Sequence, residues 1–183
     1  MKKNEIYVAL LRGINVGGNN VIRMDRLKNL FEQMGFESVL SYIPSGNIIF
    51  RAEASNKQTL TQRIEKCMSK QFSNDVRVLI LTAAELRTIV ANAPANFDLD
   101  NSYQYYVWFL MPPLTPAALL PKLSIRNGVD KVFEGENVVY VSRMTYQATK
   151  SFLTKVSEIA EYQHITIRKW NTTTKILDLT DSI

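Results

Sequence analysis

Ala9-Leu10-Leu11-Arg12-Gly13-Ile14-Asn15-Val16-Gly17-Gly18-Asn19-Asn20 decides how this chain is read. An apolar strand, Ile6 to Leu11, runs straight into a loop with three glycines, three asparagines and one arginine. The near-continuous apolar run marks a strand that is central in its sheet or covered on both faces. The loop can turn several backbone N–H groups toward one point beside a permanent positive charge, which suits an anion.

Beyond this loop, Met24, Leu27, Leu30, Phe31 and Met34 recur at spacings of three and four and predict a helix with one apolar face. Gly35 follows and can take the left-handed conformation that ends a helix. Ser38 to Ile43 and Ile48 to Phe50 read as strands around the turn Pro44-Ser45-Gly46-Asn47. A second helix is expected from Ser55, with Gln58 completing a capping box and Leu60, Ile64, Cys67 and Met68 as its apolar stripe. Val76 to Leu81 is the next strand, so the order is βαββαβ. Thr82-Ala83-Ala84-Glu85 is another capping box, opening a helix that Ala93-Pro94 ends. Asn96 to Ser102 is polar, lacks periodicity and reads as a linker.

The order then repeats. Tyr103 to Met111 is an aromatic-rich strand, and Thr115-Pro116 is an N-cap followed by proline at the first helical position. Val129 to Phe133 and Val138 to Val141 flank the turn Glu134-Gly135-Glu136-Asn137. Phe152, Val156, Ile159 and Ala160 predict a helix, Ile165 to Arg168 a strand, and Thr172 to Leu179 a terminal helix. A repeated βαββαβ unit is the split-βαβ, ferredoxin-like arrangement. The expected fold is therefore α+β, with two tandem ferredoxin-like (βαββαβ) subdomains and a short C-terminal helix. Residues 1–95 would form the first subdomain with its connecting helix, and residues 96–183 the second with the terminal helix. The repetition is one of pattern, since residue identities between the halves are sparse.

This topology has a geometric consequence. The first and third strands of such a unit are antiparallel neighbours in the middle of the sheet. The end of strand one, Arg12-Gly13, then lies about one interstrand spacing (~5 Å) from the start of strand three, Asn47. Two polar loops distant in sequence converge, as binding loops on a rigid scaffold do. The same residues also have a purely structural reading: glycines serve tight turns, asparagines tolerate positive φ, and Arg12 can pair with a carboxylate.

The totals bound the function. At 183 residues the chain makes one domain or two small ones. It is 46% hydrophobic and 21% charged, an ordinary globular composition. No apolar run approaches the ~18 residues of a membrane span, and the opening residues lack the features of a signal peptide. A cytoplasmic location without a membrane partner is expected. The single cysteine, Cys67, excludes an internal disulfide and a multi-cysteine zinc site, and it falls on an apolar helical stripe. His164 is the only histidine, so a two-histidine metal site is excluded and no Ser/His/Asp arrangement can be argued. No metal is expected, and no cofactor is indicated. The net charge of +5 permits an anionic partner without requiring one.

Ala9 to Gly18, together with Tyr42-Ile43 and Ser45-Gly46-Asn47, resembles a bacterial family, the domain of unknown function 1697. The tail Thr166-Ile167-Arg168-Lys169-Trp170-Asn171-Thr172 is similar to that family's second motif, Thr-x-Arg-Asn-Trp-Asn-Thr, and Lys175 fits the lysine that follows it. The resemblance covers nearly the whole chain. It implies two ferredoxin-like subdomains and no particular activity. Pro44 stands where glutamine is usual, Lys169 where asparagine is usual and Thr173 where valine is usual. Ile22-Arg23-Met24 replaces a typical Val-Pro-Met.

Known phosphate motifs do not fit. Gly13 to Gly18 has the Walker A separation, but Asn19-Asn20 stands where Lys and Ser/Thr belong. The spacing is also wrong for a dinucleotide fingerprint. Near the C-terminus, Asn171 or Thr172 could cap the terminal helix beside Arg168 and Lys175, where an anion would gain both dipole and guanidinium. The plainer reading is an ordinary cap with Trp170 as a core anchor. Alternation puts Tyr103, Tyr105 and Phe109 on one strand face and Tyr106 and Trp108 on the other. Asn47-Ile48-Ile49-Phe50-Arg51 lacks the basic-Gly-aromatic pattern of RNA-recognition strands, so these rings read as core. The pairs Asp98/Asp100 and Glu134/Glu136 fall in turn sequence.

The expectation is a cytoplasmic protein that binds a small phosphate- or carboxylate-bearing ligand, nucleotides included. Arg12 would supply charge, Gly13, Gly17 and Gly18 close backbone approach, and Asn15, Ser45 and Asn47 directional hydrogen bonds. Arg168, Asn171 and Lys175 would assist. Two alternatives stand beside it: an enzyme of acyl or phosphoryl transfer in the same pocket, which lacks a nucleophile–base pair, and an RNA-binding module. The oligomeric state is left open.

Overall fold

The computed structural model describes residues 4–15, 21–72 and 76–183. In chain order these form β1 (Asn4–Arg12), α1 (Met24–Gln33), β2 (Glu37–Tyr42), β3 (Asn47–Glu53), α2 (Lys57–Phe72), β4 (Arg77–Thr82) and α3 (Ala83–Ala91). There follow β5 (Tyr103–Leu110), α4 (Pro116–Leu119), β6 (Asp130–Glu134), β7 (Val138–Met144), β8 (Ile165–Lys169) and α5 (Trp170–Thr180). The architecture is α+β with two four-stranded antiparallel sheets, ordered β2-β3-β1-β4 and β6-β7-β5-β8. Among the described residues, no helix is long and apolar enough to cross a membrane.

Local chemistry sets the helix ends. After α1, Gly35 takes φ +80. Its N–H donates to Glu32 O at 2.9 Å, and Phe36 N–H donates to Phe31 O at 3.3 Å. That pair of bonds is a Schellman motif. At α3 the capping box is reciprocal: Glu85 N–H donates to Thr82 Oγ1 at 3.1 Å, and Thr82 N–H donates to Glu85 Oε2 at 2.8 Å. Thr115 Oγ1 accepts from Ala118 N–H at 3.3 Å, with Pro116 opening α4. One expected cap is corrected. Asn56, not Ser55, caps α2, its Oδ1 accepting from Gln58 N–H at 2.8 Å. Ser55 is held outside the helix, where its N–H donates to Tyr7 OH at 3.1 Å.

Two further expectations are corrected. The helix expected around Phe152–Ala160 is a succession of 3-10 turns, Thr145–Lys150, Leu153–Glu158 and Ala160–His164. Ser151 and Thr154 supply the reason: Leu153 N–H donates to Ser151 Oγ at 3.2 Å, and Thr154 Oγ1 donates to Ser151 O at 2.9 Å. Such local bonds compete with a regular helix. At the C-terminus β8 runs directly into α5, so Asn171 and Thr172 lie in its first turn instead of capping it.

Two compact units result, residues 1–87 with 175–183, and residues 88–174. This division differs from one at 95/96, and the stretch 96–102 is no loose linker. Phe97 places its ring 4.8 Å from Tyr105, 5.1 Å from Trp170 and 5.8 Å from Tyr140. Tyr140 OH donates to Ile89 O at 2.6 Å, and burial pushes this phenol up to about 12.

In the first unit, Tyr7, Ala9 and Leu11 of β1 face Leu27 and Phe31 of α1 and Ile64 and Met68 of α2 in one core. The rings of Phe36 and Phe50 lie 4.4 Å apart in it. In the second unit, Trp108, Leu110, Val139, Val141 and Ile165 share a core. The residues on the opposite sheet faces, Val8, Leu10 and Ile49, and Val107, Phe109 and Val138, are buried too. The continuous apolar run of β1 is what such two-sided burial requires.

Glu85 links α3 to α2, because Lys57 Nζ donates to its other oxygen. Burial opposes ionisation, but the bonds from Lys57 and Thr82 outweigh it and hold the carboxyl below its ordinary 4.5. A lowered folded value means stabilisation that is present above the unfolded value and lost as pH falls through the folded one. Glu85→Gln is expected to cost roughly 0.5–1 kcal/mol at neutral pH, allowing for solvent screening of this half-exposed group. In urea denaturation at stepped pH, the difference from the parent should shrink below pH 4.5. A difference independent of pH would show that the carboxylate charge contributes nothing.

Candidate functional site

The site is built by strand register. β1 pairs antiparallel with β3 so that Leu10 lies opposite Asn47, and the end of β1 meets the start of β3. Leu11 N–H extends the ladder into the turn, donating to Gly46 O at 2.8 Å. Gly13 adopts φ 85 and Asn15 φ 54, which brings the chain back toward the β2–β3 turn. Asn15 then joins the two loops. Its Nδ2 donates to Pro44 O at 2.8 Å and to Ile22 O at 3.1 Å, and its Oδ1 accepts from Ile22 N–H at 2.7 Å. Both amide hydrogens and the oxygen are thereby engaged within the protein.

Asn47 also works inward. It is fully buried, and its Nδ2 donates to Tyr42 O at 2.9 Å and to Ser45 Oγ at 3.1 Å. Ser45 itself is exposed. The residues expected to meet therefore do meet: Arg12, Gly13, Asn15, Ser45 and Asn47 share one sheet end. Gly17 and Gly18 lie outside the described residues.

Register adds a residue that the sequence reading missed. β4 pairs with β1 so that Arg12 lies directly opposite Arg77. One position earlier, Leu11 and Val78 enter the core shared with α1 and α2. Alternation therefore puts both arginines on the other sheet face. Arg12 is half-buried and Arg77 exposed. Two like charges opposed in an antiparallel pair are unfavourable on their own. The signal was present in sequence: an arginine opens β4, and the strand order sets it beside the arginine that closes β1.

The C-terminal candidates are arranged differently. Arg168, in β8, is buried; its Nη1 donates to Thr166 Oγ1 at 3.1 Å and to Ile167 O at 2.9 Å. Burial pushes its guanidinium down to about 10, so it stays cationic at neutral pH. Asn171 and Lys175 are exposed, one turn apart on α5. Arg168 and Asn171 belong to the second compact unit, and Lys175 to the first.

Other residues with suggestive chemistry serve the fold. Trp108 and Phe109 are buried, which removes them from base stacking. Asp100 Oδ1 accepts from Ser102 N–H at 2.9 Å and Ser102 Oγ at 2.6 Å, an Asx turn. The carbonyl of His164 accepts from Met111 N–H at 2.7 Å at the entry to β8.

Gly46 tests the packed edge. At φ +79, an added Cβ would lie 2.6 Å from Ile14 Cδ1 and 2.9 Å from Leu11 Cβ. Gly128 has φ +77 with nothing within 4 Å of an added Cβ. In chemical denaturation Gly46→Ala is expected to cost about 2–4 kcal/mol, and Gly128→Ala only ~1 kcal/mol. Equal losses would mean that backbone strain alone acts and that the two loops are not packed together. Asn15→Ala, which removes three hydrogen bonds and leaves Ile22 N–H short of its acceptor, should cost about 1–3 kcal/mol by the same measurement.

Comparison places this geometry among known proteins. The chain superposes on the conserved bacterial protein SP0830 from Streptococcus pneumoniae with a TM-score of 0.85 and 24% sequence identity, over 97% of this chain and 99% of that one. That likeness is one of fold. No curated protein sequence matches the chain. Residues 5–140 match the family described as "Protein of unknown function (DUF1697)", and the chain belongs to that family.

Proposed function

We propose that this protein binds a small phosphate- or carboxylate-bearing anion at the sheet end where β1 stops, and that it does so in the cytoplasm. Each half is read as a ferredoxin-like unit, the second with one helix drawn out into 3-10 turns. The observation that carries the proposal is the register that sets Arg12 opposite Arg77 beside two stapled loops. An anion at this edge would have two cationic residues within one strand pair, and each charge-assisted hydrogen bond contributes about 1.5–3 kcal/mol. Gly13 permits close backbone approach, and Ser45 offers an exposed hydroxyl at the same edge.

Asn15 and Asn47 take a role other than ligand contact. Their inward bonds hold the loops in one conformation, which lowers the ordering entropy of binding. Arg168, Asn171 and Lys175 are not required for this reading. Binding is favoured over catalysis because Ser45 Oγ accepts from Asn47 Nδ2, a donor that cannot take up the hydroxyl proton.

The test is a thermal-shift titration with pyrophosphate, citrate and ATP. The parent should be stabilised by at least one of them, since a ligand that binds only the folded state raises its stability. Arg12→Ala and Arg77→Ala should each weaken that ligand about tenfold or more. Arg26→Ala, an exposed position on α1, should leave the response unchanged. No stabilisation by any of the three, or full stabilisation of Arg12→Ala, would overturn the proposal.

A further inference from the structure

We propose that β6 pairs edge to edge with β6 of a second copy of this chain, antiparallel about a two-fold axis at Phe133. An edge strand presents unpaired N–H and C=O groups that fit another strand, and proteins blunt such edges where no partner is wanted. Of the four edge strands, β2, β4, β6 and β8, three are blunted. β2 carries a register shift between Glu37 and Leu40, with Ser38 at φ 49, and such a bulge bends the strand away from a partner. In β4, Val78 N–H donates to Glu65 Oε1 and Thr82 N–H to Glu85 Oε2, both at 2.8 Å. In β8 the guanidinium of Arg168 turns back on its own strand and donates to Ile167 O at 2.9 Å.

Among the described residues β6 carries none of these devices. Its register with β7 runs unbroken from Asp130 to Glu134. Met144 N–H donates to Val129 O at 2.8 Å and Gly135 N–H to Val138 O at 3.0 Å. By the alternation of an antiparallel ladder, Lys131 and Phe133 also bond to β7, and Val132 and Glu134 turn their N–H and C=O groups outward. The row is closed at its start, because Asp130 N–H donates to Arg126 O at 2.8 Å. Phe133 stands on the sheet face opposite to Val132 and is 40% exposed. Lys131 shares that face, but its Nζ lies 4.1 Å from the centroid of the Tyr103 ring on β5, beyond β7. The lysine charge is thus drawn into the sheet, and the aromatic ring is left at the edge.

These groups select one register. Setting Val132 opposite its own copy would bring Asp130 opposite Glu134, two like charges in one cross-strand pair. Setting Phe133 opposite its own copy avoids this. Val132 then faces Glu134 on both sides of the axis, and each outward N–H meets an outward C=O. The two exposed rings meet at a non-hydrogen-bonded position, where side chains across an antiparallel pair lie closest. Every outward group of β6 has its complement in β6 itself, which names a second copy as the occupant.

The test is an NMR dilution series of the full 15N-labelled chain from about 1 mM downward, following amide shifts and the rotational correlation time. So short a pairing makes a small interface, and a dissociation constant below about 1 mM is expected. The amides of Val132 and Glu134 should move most. Phe133→Lys and Phe133→Glu, at an exposed position, should each fold as the parent does and lose about tenfold in self-association. Labelled Phe133→Lys mixed with unlabelled Phe133→Glu should associate about fivefold more tightly than either alone, because opposite charges then face each other. Arg12→Ala should dimerise as the parent does, which separates this edge from the anion site.

A parent still monomeric at about 1 mM, dilution shifts centred on other amides, or a mixture no tighter than its parts would overturn the proposal. So would a monomeric parent whose Val132 and Glu134 amides respond to an alternating Thr-Val peptide, since the edge would then take a foreign strand.

Discussion

The pairing of β1 with β3 on one side and β4 on the other is the constraint on which the candidate site depends. Side chains alternate along a strand, so a slip of one residue would exchange the two faces of β1. Leu11 would leave the core it shares with Val78, α1 and α2, and Arg12 would enter it. Burying a guanidinium there without partners costs several times what any loop contact returns. The core therefore sets the register, and the register places Arg12 opposite Arg77 and Leu10 opposite Asn47. No contact at the site itself has to do this.

The arginines show how position decides role. Arg168 sits inside β8 and spends guanidinium hydrogens on Thr166 and on the carbonyl of Ile167. It is a cation absorbed by the fold. Arg12 and Arg77 sit opposite each other at strand ends, on the face away from α1 and α2. The asparagines divide the work in the opposite sense to that expected. Asn15 and Asn47 lie at the site but face the backbone, satisfying carbonyls that the tight turns would otherwise leave without donors. They hold the two turns at this edge to each other and to β2.

Much of the fold was legible because local and long-range signals agree. The β1 run, the α1 stripe ending at Gly35, and the caps at Thr82 and Thr115 all read correctly from residues alone. The meeting of Arg12–Asn15 with Ser45–Asn47 was also legible, because an antiparallel order forces it. Other features depend on atoms that a pattern does not display. Asn56 took the cap of α2 because Tyr7 OH held Ser55 back. Phe97, half-buried, anchors a polar and mostly exposed stretch by reaching three aromatic rings. Arg77 lies opposite Arg12 through the β1–β4 pairing, which the convergence of the two loops does not involve.

The two halves differ most where the second departs from regular helix. In the first unit α2 runs for 16 residues and lays Leu60, Ile64 and Met68 along the sheet as one stripe. In the second, the apolar spacing of Phe152, Val156 and Ile159 fits a helix, but Ser151 and Thr154 bind their own neighbourhood and break it into short turns. A turn with three residues per repeat stacks side chains in rows where an α-helix would fan them out. Leu153 and Val156 still reach the core shared with Trp108, while Phe152 is left at the surface beside Arg126 and Lys155. The substitution of hydroxyl chemistry for helical hydrogen bonds thus accounts for the lost helix, and Asp130 ties Arg126 and Phe152 together through their backbone N–H groups.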